Sequence, residues 1–370
     1  MAGEIVGVVG TGTMGAGIAQ LALEHGHEVV IHDVDEDAIA RGRDRIRDGL
    51  ARRASKLGLD SETRDEWIST RLGALREAET IAGLAAEVDV AIEAALEDLG
   101  LKREIFRALD DASAPEAVLA TNTSALSVAD IAAVTKRPGR IIGLHFFNPA
   151  AVMKLVEVVA PTGADPAAVD RGEALVTSWG KTAVRCTDTP GFIVNRVNRP
   201  FTLEALRIVE EGTASIEDID TAIRDDGFPM GPFEVMDLIG IDVNLATARG
   251  LFEGFTGLEG ESAERFRPSR IQERLVAEGR LGRKTGTGFY RYRDGERTGP
   301  AEEFRRPVNG AARPRAVDRI TLAIVAEAYR AVAAGVAARD DVDRALVLGA
   351  AHPIGPFARA DAIGGPGEVR

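Results

Sequence analysis

Cysteine is almost absent from this chain of 370 residues, which contains Cys186 and no other. A single thiol excludes a disulfide framework and a cysteine-based metal site, so we expect no bound metal. No apolar run is long enough to span a bilayer, and the first residues lack the basic segment and apolar core of a secretory signal. We therefore expect a soluble, cytoplasmic protein that does not contact a membrane.

Positive charge is also in short supply. Lys and Arg number 45 against 58 Asp and Glu, which gives a formal net charge of -13. Such a negative field disfavours nucleic acid and anionic membrane surfaces as partners, although a few local cations can still hold a phosphorylated small molecule. The aromatic content is only 5% and no Ser-His-Asp elbow motif occurs, which argues against an esterase.

A strand, a glycine turn, a helix and a second strand follow one another at the start of the chain. The apolar run EIVGVV (4–9) is typical of a parallel strand that is buried on both faces. The helical segment AGIAQLALEHG ends at Gly26, and EVVIHD (28–33) gives the second strand. The turn between them reads GTGTMG and fits the G-x-G-x-x-G pattern of dinucleotide-binding folds.

The glycines of this turn have distinct physical tasks. Gly10 permits the tight turn, Gly12 lets the backbone approach a pyrophosphate, and Gly15 allows close packing of helix on strand. The N–H groups and the dipole at the helix N-terminus favour phosphate. Asp33, at the end of the second strand, can bind both ribose hydroxyls and would repel a 2′-phosphate. The pattern therefore predicts a Rossmann domain that binds NAD rather than NADP.

The segment GLHFFNPAAVMKLVEVV (143–159) places polar residues in an otherwise apolar run. If Asn148 and Pro149 turn the chain back, its two halves form a hairpin, and Glu157 can reach one ring nitrogen of His145. A buried carboxylate is costly unless it is paired, and an imidazole is a natural partner for it. We therefore predict an acid–base dyad of His145 and Glu157, with a purely structural histidine as the alternative.

Six motifs together resemble the 3-hydroxyacyl-CoA dehydrogenase family. They occur in the family's order over residues 4–293 and are GTGTMGAGIAQ, TNTSALS, GLHFFNPAAVMKLVEVV, DTPGFIVNRV, GFPMGPFEVMDLIG and GRKTGTGFY. The resemblance implies that His145 is the base that removes the 3-hydroxyl proton while hydride passes from C3 to the nicotinamide, and that Glu157 is its partner.

The resemblance also implies roles for further positions. Ser124 would bind the 3-oxygen of the substrate beside the nicotinamide, Asn195 would lie near the reacting group, and Lys56 would meet the CoA phosphates. The other cofactor-binding positions that it implies are Met14, Glu97, Lys102 and Asn148. Asp98 departs from the family, which usually has Asn there, and adds a charge beside Glu97. By its residues alone, the segment LKREIFRALDD could instead present Lys102 as one cation on a solvated helix.

The C-terminal part of the chain is helical in pattern and contains an internal repeat. EAYRAVAAGVAARDDVD (327–343) aligns with EALRIVEEGTASIEDID (204–220), and PIGPFARADAIG aligns with PMGPFEVMDLIG after a one-residue insertion. The second copy lacks the GRKTGTGFY motif and carries Asp318 where Asn195 would align. We interpret it as a packing element that replaces some or all of a dimer contact within one chain, with an ordinary homodimer as the alternative.

These patterns predict an α/β Rossmann domain with a mostly parallel sheet, an all-α domain and a partial all-α repeat. The expected ranges are 1–187 and 188–293 for the domains, 294–313 for a linker and 314–370 for the repeat. The resemblance implies reversible, NAD-dependent oxidation of an (S)-3-hydroxyacyl-CoA, as in fatty-acid β-oxidation or butanoate metabolism. A dehydrogenase of a non-CoA 3-hydroxy acid and a catalytically silent NAD(H)-binding protein stay open as alternatives.

Overall fold

The computed structural model describes residues 3–364. The chain forms two compact units, Met1–Asp188 and Thr189–Arg370. The first is an α/β unit and the second is mostly helical, as the sequence predicted. None of the helices within residues 3–364 combines the length and the apolar character that a membrane crossing needs.

The first unit is built on one sheet of eight strands. In chain order these are β1 (Ile5–Val9), β2 (Glu28–His32), β3 (Leu75–Glu77), β4 (Val90–Glu93), β5 (Val118–Thr121), β6 (Ile141–Phe146), β7 (Leu155–Ala160) and β8 (Thr182–Thr187). Their spatial order is β3-β2-β1-β4-β5-β6-β7-β8, and every neighbouring pair is parallel except β6 and β7. The first six strands have the order of a doubly wound dinucleotide-binding sheet, which switches direction between β1 and β4.

Helices connect these strands and cover the sheet. They are α1 (Thr13–Glu24), α2 (Glu36–Lys56), α3 (Ser61–Gly73), α4 (Ile81–Ala85), α5 (Leu99–Ala112), α6 (Val128–Ala132) and α7 (Pro166–Ser178). Helices α2 to α7 each begin after a short polar side chain that accepts a backbone N–H of the first turn, namely Asp35, Asp60, Thr80, Asp98, Ser127 and Asp165. The central strands read as continuous Val, Ile, Leu and Ala because helices bury both of their faces.

The second unit contains nine described helices and one small hairpin. The helices are α8 (Val194–Val197), α9 (Arg199–Glu210), α10 (Ile216–Asp225), α11 (Pro232–Ile239), α12 (Ile241–Phe255), α13 (Arg270–Ala277), α14 (Arg313–Ala333), α15 (Arg339–Ala350) and α16 (Pro356–Ala362). The hairpin pairs β9 (Tyr290–Arg293) with β10 (Glu296–Pro300). The segment predicted as a linker thus contains a strand. The same segment also contributes to the core, since Phe304 is buried and its ring centroid lies 5.2 Å from that of Phe289.

The internal repeat is present in the structure. Helices α9, α10 and α11 correspond to α14, α15 and α16, and α14 packs along α9. In the first copy the N–H of Phe233 donates to Asp220 Oδ1 at 3.0 Å. In the second copy the N–H of Phe357 donates to the aligned Asp343 Oδ1 at 2.7 Å. Each copy therefore uses one aspartate to fix the start of its third helix.

Candidate active site

The hairpin of β6 and β7 brings two buried ionisable side chains together. His145 and Glu157 lie directly opposite each other in the antiparallel register. The Nδ1 atom of His145 lies 2.6 Å from Glu157 Oε2, and their side chains are 6% and 0% exposed. The turn at Asn148 and Pro149 produces the hairpin that the sequence predicted. The carboxylate fixes the tautomer and the orientation of the imidazole.

The loop after β5 is organised by one carboxylate. Glu97 Oε1 accepts hydrogen bonds from Thr123 Oγ1 at 2.7 Å, from the N–H of Ser124 at 2.8 Å and from the N–H of Ala125 at 3.0 Å. The loop follows β5 directly, so these contacts hold Ser124 at the carboxyl end of the parallel strands. Ligands bind at this edge in doubly wound sheets.

The ammonium group of Lys102 is buried next to this loop. Lys102 is 1% exposed, and its Nζ lies 2.6 Å from Glu93 Oε1 and 3.4 Å from Glu97 Oε2. Glu93 also accepts from Thr121 Oγ1 at 2.7 Å. The solvated-helix alternative for Lys102 is therefore wrong, because α5 turns this residue toward the strand ends. Asp98 accepts the N–H of Leu101 at 2.8 Å and caps α5, a task that Asn and Asp perform equally well.

Two further residues of this region make contacts that the sequence did not reveal. Glu93 accepts hydrogen bonds from the buried Lys102 and from Thr121. Asn122, which had no role assigned, accepts the N–H of Phe146 through Oδ1 at 2.8 Å and so ties β5 to the strand that carries the histidine. Polar residues at the ends of apolar strands were the signal available for both.

The glycine turn of the first unit is crowded at Gly10 and Gly15 and open at Gly12. A Cβ atom on Gly15 would lie 1.8 Å from the carbonyl oxygen of Gly10, and Gly10 itself has a φ of +90°. A Cβ on Gly12 would meet nothing within 4 Å, so this side of the turn is open. Helix α1 begins after Gly12 without a side-chain cap. The N-cap residue therefore does not compete with an anion for the first N–H groups of the helix.

Asp33 lies at the end of β2, beside this turn. Its Oδ2 accepts from the N–H of Thr11 at 2.6 Å and from Thr11 Oγ1 at 2.8 Å, and its Oδ1 accepts from the N–H of Val34. Partial burial raises the pKa of Asp33, but the hydrogen bonds from Thr11 and Val34 outweigh it and leave the pKa below its ordinary value. The residue is therefore ionised at neutral pH.

A cavity of about 510 Å³ runs along α1 from Thr13 to Glu24 and along the second half of α2. Four cationic residues of α2 line it, namely Arg45, Arg52, Arg53 and Lys56. The chain just after the hairpin turn, at 149–152, forms another part of its wall. Glu24 and Asp48 also contribute, and Arg53 lies 3.5 Å from Glu24.

The remaining predicted residues lie at different places in the fold. Met14 is half-buried in the glycine turn, and Asn148 is exposed in the turn between β6 and β7. Asn195 is on α8, in the second unit. Within residues 3–364 no group of three or more His, Cys, Asp and Glu residues is arranged to hold a metal ion.

Four features define a NAD-dependent dehydrogenase: the doubly wound sheet, the open glycine turn at its switch point, the ionised acid after β2 and the His–carboxylate pair across β6 and β7. The family follows from the sequence. Residues 5–189 match the model of the 3-hydroxyacyl-CoA dehydrogenase NAD binding domain, and residues 191–292 and 316–368 match that of the 3-hydroxyacyl-CoA dehydrogenase C-terminal domain. The chain belongs to the 3-hydroxyacyl-CoA dehydrogenase family.

Individual relatives agree with this assignment. The 3-hydroxyadipyl-CoA dehydrogenase of Escherichia coli (strain K12) is 47% identical over 291 residues, which are 78% of this chain but 59% of that protein. The 3-hydroxybutyryl-CoA dehydrogenase of Mycobacterium tuberculosis is 41% identical over 290 residues, 78% of this chain and 98% of that protein. The crystal structure of 3-hydroxybutyryl-CoA dehydrogenase from Escherichia coli K12 is similar with a TM-score of 0.86 and 36% identity, and the match covers 98% of this chain and 92% of that chain.

Proposed function

We propose that this protein catalyses the reversible, NAD-dependent oxidation of an (S)-3-hydroxyacyl-CoA to the 3-oxoacyl-CoA. The observation that carries the proposal is the 2.6 Å contact between His145 Nδ1 and Glu157 Oε2. A fully buried carboxylate on one ring nitrogen is the arrangement that lets the other nitrogen exchange a proton. The family membership supplies the substrate class, since the relatives named above are dehydrogenases of 3-hydroxyacyl-CoA compounds.

Four residues of the chain have separate roles in the proposed reaction. His145 Nε2 takes the proton of the 3-hydroxyl group, and the C3–O bond becomes a carbonyl. Glu157 holds Nδ1 and stabilises the imidazolium that forms. Ser124 holds the 3-oxygen, and Asn195 contacts the substrate near the reacting carbon. NAD, when held by the glycine turn, would supply the acceptor for the hydride that leaves C3.

The cofactor-binding residues fit NAD in both charge and space. Gly10, Gly12 and Gly15 admit a pyrophosphate at the start of α1, and Asp33 binds the adenosine ribose. The resemblance to the family adds three further cofactor-binding residues, namely Met14, Asn148 and Ser124. Glu97 and Lys102 belong to the same set, and we infer that Lys102 acts through the loop, because its ammonium group is 1% exposed and lies against Glu93.

The cations of α2 favour CoA over a free hydroxy acid. Lys56 and the three arginines that line the cavity with it are grouped on one helix in a chain of net charge -13. A CoA molecule carries several phosphate charges that such a group would bind, whereas a free 3-hydroxy acid carries one carboxylate. We propose that Lys56 and its neighbours hold the CoA phosphates.

The first test is NADH oxidation with acetoacetyl-CoA, for the wild type and for His145→Gln. The expected result is loss of turnover by about a hundredfold or more in the variant, with NADH affinity unchanged. The exposed residue His25 provides the control, since His25→Gln should keep the wild-type rate. Equal rates for His145→Gln and the wild type would refute the dyad.

The same assay separates the two alternative functions. Turnover of acetoacetate at the same rate as acetoacetyl-CoA would favour a dehydrogenase of non-CoA 3-hydroxy acids. NADH binding without turnover of any substrate would favour a catalytically silent NAD(H)-binding protein.

We also propose that the second copy of the helical domain takes the place of a second subunit. The ion pairs between the copies include two that are reciprocal: Arg196 Nε lies 2.8 Å from Glu327 Oε1, and Arg319 Nε lies 2.9 Å from Glu204 Oε2. Arg196 aligns with Arg319 and Glu204 aligns with Glu327, so each copy gives the other the same contact. Such reciprocity is the mark of a two-fold interface.

The assembly proposal has a direct test in sedimentation of the full chain. A pseudo-dimer within one chain predicts a monomer across the micromolar range, because its helical face is already covered. A stable dimer that persists on dilution to nanomolar concentration would contradict it.

A further inference from the structure

We propose that the C-terminal repeat holds helix α8 in its working position, and that Glu327 is a positioning residue for Asn195. The inference rests on the proposed function, because it takes Asn195 to contact the substrate. It extends that function to a part of the chain that carries no predicted site residue. Two separate contacts from the repeat to α8 support it.

The first contact is a buried ion pair directly after Asn195. Arg196 is 1% exposed, and its Nε donates to Glu327 Oε1 at 2.8 Å. Glu327 is fully buried, and its Oε2 also accepts a hydrogen bond from Arg265 Nε at 2.6 Å. Glu261 accepts from Arg196 Nη2 at 3.0 Å, and the guanidinium carbon lies 4.8 Å from the ring centroid of Phe255. Charge and packing together thus hold the arginine in one place.

The second contact is at the residue that ends the same helix. His352, from the segment between α15 and α16, has its Nε2 2.8 Å from Asn198 Oδ1. Asn198 is the C-cap of α8 and the N-cap of α9. The imidazole is buried and packs edge-on against Phe228, with 4.9 Å between ring centroids. The repeat therefore contacts Arg196 and Asn198, which both lie on the C-terminal side of Asn195.

Helix α8 needs such support because it is too short to define its own position. It comprises the four residues Val194–Val197 and has no side-chain cap at its N-terminus. Short helices depend on tertiary contacts rather than on their own hydrogen bonds. A displacement of about 1 Å in a substrate-contacting residue can cost about a hundredfold in rate. The contacts from the repeat thus set the position of a residue proposed to touch the reacting group.

The pseudo-symmetry supplies a matched control. Glu204 and Arg319 form the reciprocal ion pair across the same two copies. Asp318 precedes Arg319 where Asn195 precedes Arg196, so this pair supports no proposed site residue. Glu204 is 14% exposed at its side chain, against 0% for Glu327. Neutralising Glu204 removes its inter-copy ion pair with Arg319, and neutralising Glu327 removes its pairs with Arg196 and Arg265. Only the change at Glu327 loosens α8.

The experiment compares Glu327→Gln, Glu204→Gln and Glu327→Asp in the full chain. We expect Glu327→Gln to lower kcat/KM for acetoacetyl-CoA at least about tenfold, with a change in NADH affinity below about twofold, because the first unit is untouched. Glu327→Asp should recover part of the loss, since it restores the charge. Glu204→Gln should keep wild-type kinetics even where its unfolding temperature falls.

Other results would overturn the inference. Wild-type kcat/KM in a folded Glu327→Gln variant would do so, and so would equal losses in Glu327→Gln and Glu204→Gln. If Glu327→Gln does not fold, His352→Gln replaces it: a severalfold loss of kcat/KM with NADH affinity unchanged supports the inference, and wild-type kinetics overturns it. Wild-type protein that fails to reduce acetoacetyl-CoA would instead refute the proposed function, before any variant is compared.

Discussion

The carboxylate of Glu97 accepts the backbone N–H of Ser124 at 2.8 Å, from a position 27 residues earlier in the chain. The same oxygen accepts from Thr123 Oγ1 and from the N–H of Ala125. Three donors converging on one oxygen fix the conformation of the loop after β5. Glu97 therefore acts on the proposed substrate-binding serine through the backbone rather than through its side chain.

Replacing Glu97 by Ala is expected to loosen this loop and to impair catalysis. The three donors would lose their acceptor, so kcat/KM for acetoacetyl-CoA should fall about tenfold or more. The free energy of unfolding should fall by only about 1 kcal/mol, since the carboxylate is partly exposed to water. Steady-state kinetics and a denaturant titration measure the two effects. The adjacent Asp98→Asn, which restores the residue usual in the family and keeps the cap of α5, should leave both values unchanged. Parallel losses in the two variants would contradict this reading of Glu97.

Replacing Asp33 by Ala is expected to weaken NADH binding about tenfold or more and to reduce the preference for NADH over NADPH. The carboxylate is ionised, because the hydrogen bonds from Thr11 and Val34 outweigh partial burial and keep its pKa below the ordinary value. It therefore repels a 2′-phosphate in the wild type. Fluorescence titration with both cofactors gives the ratio of dissociation constants. Asp37→Asn, which removes an exposed charge nearby, should keep the wild-type ratio; an unchanged ratio in the Asp33 variant would show that selectivity lies elsewhere.

The sequence was sufficient to predict those features that local patterns determine. The alternation in MKLVEVV and the Asn-Pro turn placed Glu157 on the same face as His145, and the register of β6 with β7 pairs them directly. The glycine spacing likewise predicted the turn before α1, because Gly15 must approach the backbone of Gly10. In each case the two residues that meet are close in sequence, and a single hairpin or turn fixes their geometry.

Contacts between distant segments could not be predicted in the same way. Nothing in ALEDLGLK indicates that Glu97 receives three donors from the loop after β5, since that pairing depends on how α5 packs beside β4 and β5. The reciprocal pairs of Arg196 with Glu327 and of Arg319 with Glu204 depend on the packing of two repeats. The alignment predicted that the repeats exist, but only the packing identifies which charges meet.

The packing of the second copy leaves no space for a side chain at Gly355. A Cβ atom on Gly355 would lie 2.1 Å from Cγ of Asp343, which is the carboxylate that caps α16. Gly355→Ala should therefore destabilise the protein by about 1–3 kcal/mol, because the aspartate must move away from the helix start. Thermal or urea unfolding measures the change. Gly73 has no atom within 4 Å of an added Cβ, so Gly73→Ala serves as the control and should change stability by less than about 1 kcal/mol. Equal stability of the two variants would show that the cap has room to adjust.

The histidine that contacts α8 should make the stability of the protein depend on acid pH. Burial, with a smaller effect of the Arg359 charge, lowers the pKa of His352 to about 3. In the unfolded chain the residue titrates near its ordinary value of about 6.5. Between these two values the unfolded state binds a proton that the folded state does not, so this contribution to stability is present above pH 6.5 and is lost as the pH falls toward 3.

The expected loss from this one group is about 1.4 kcal/mol at pH 5.5 relative to neutral pH. His352→Gln cannot be protonated and should remove that part of the pH dependence, which urea titrations at pH 5.5 and 7.5 would measure. The stability of the variant at pH 7.5 should be slightly lower than that of the wild type, because glutamine fits the space between Phe228 and Asn198 less well. His25 is exposed, so His25→Gln should retain the full wild-type dependence. An identical pH dependence in His352→Gln and the wild type would mean that the folded protein takes up a proton at His352, and that the contact with Asn198 does not require a neutral ring.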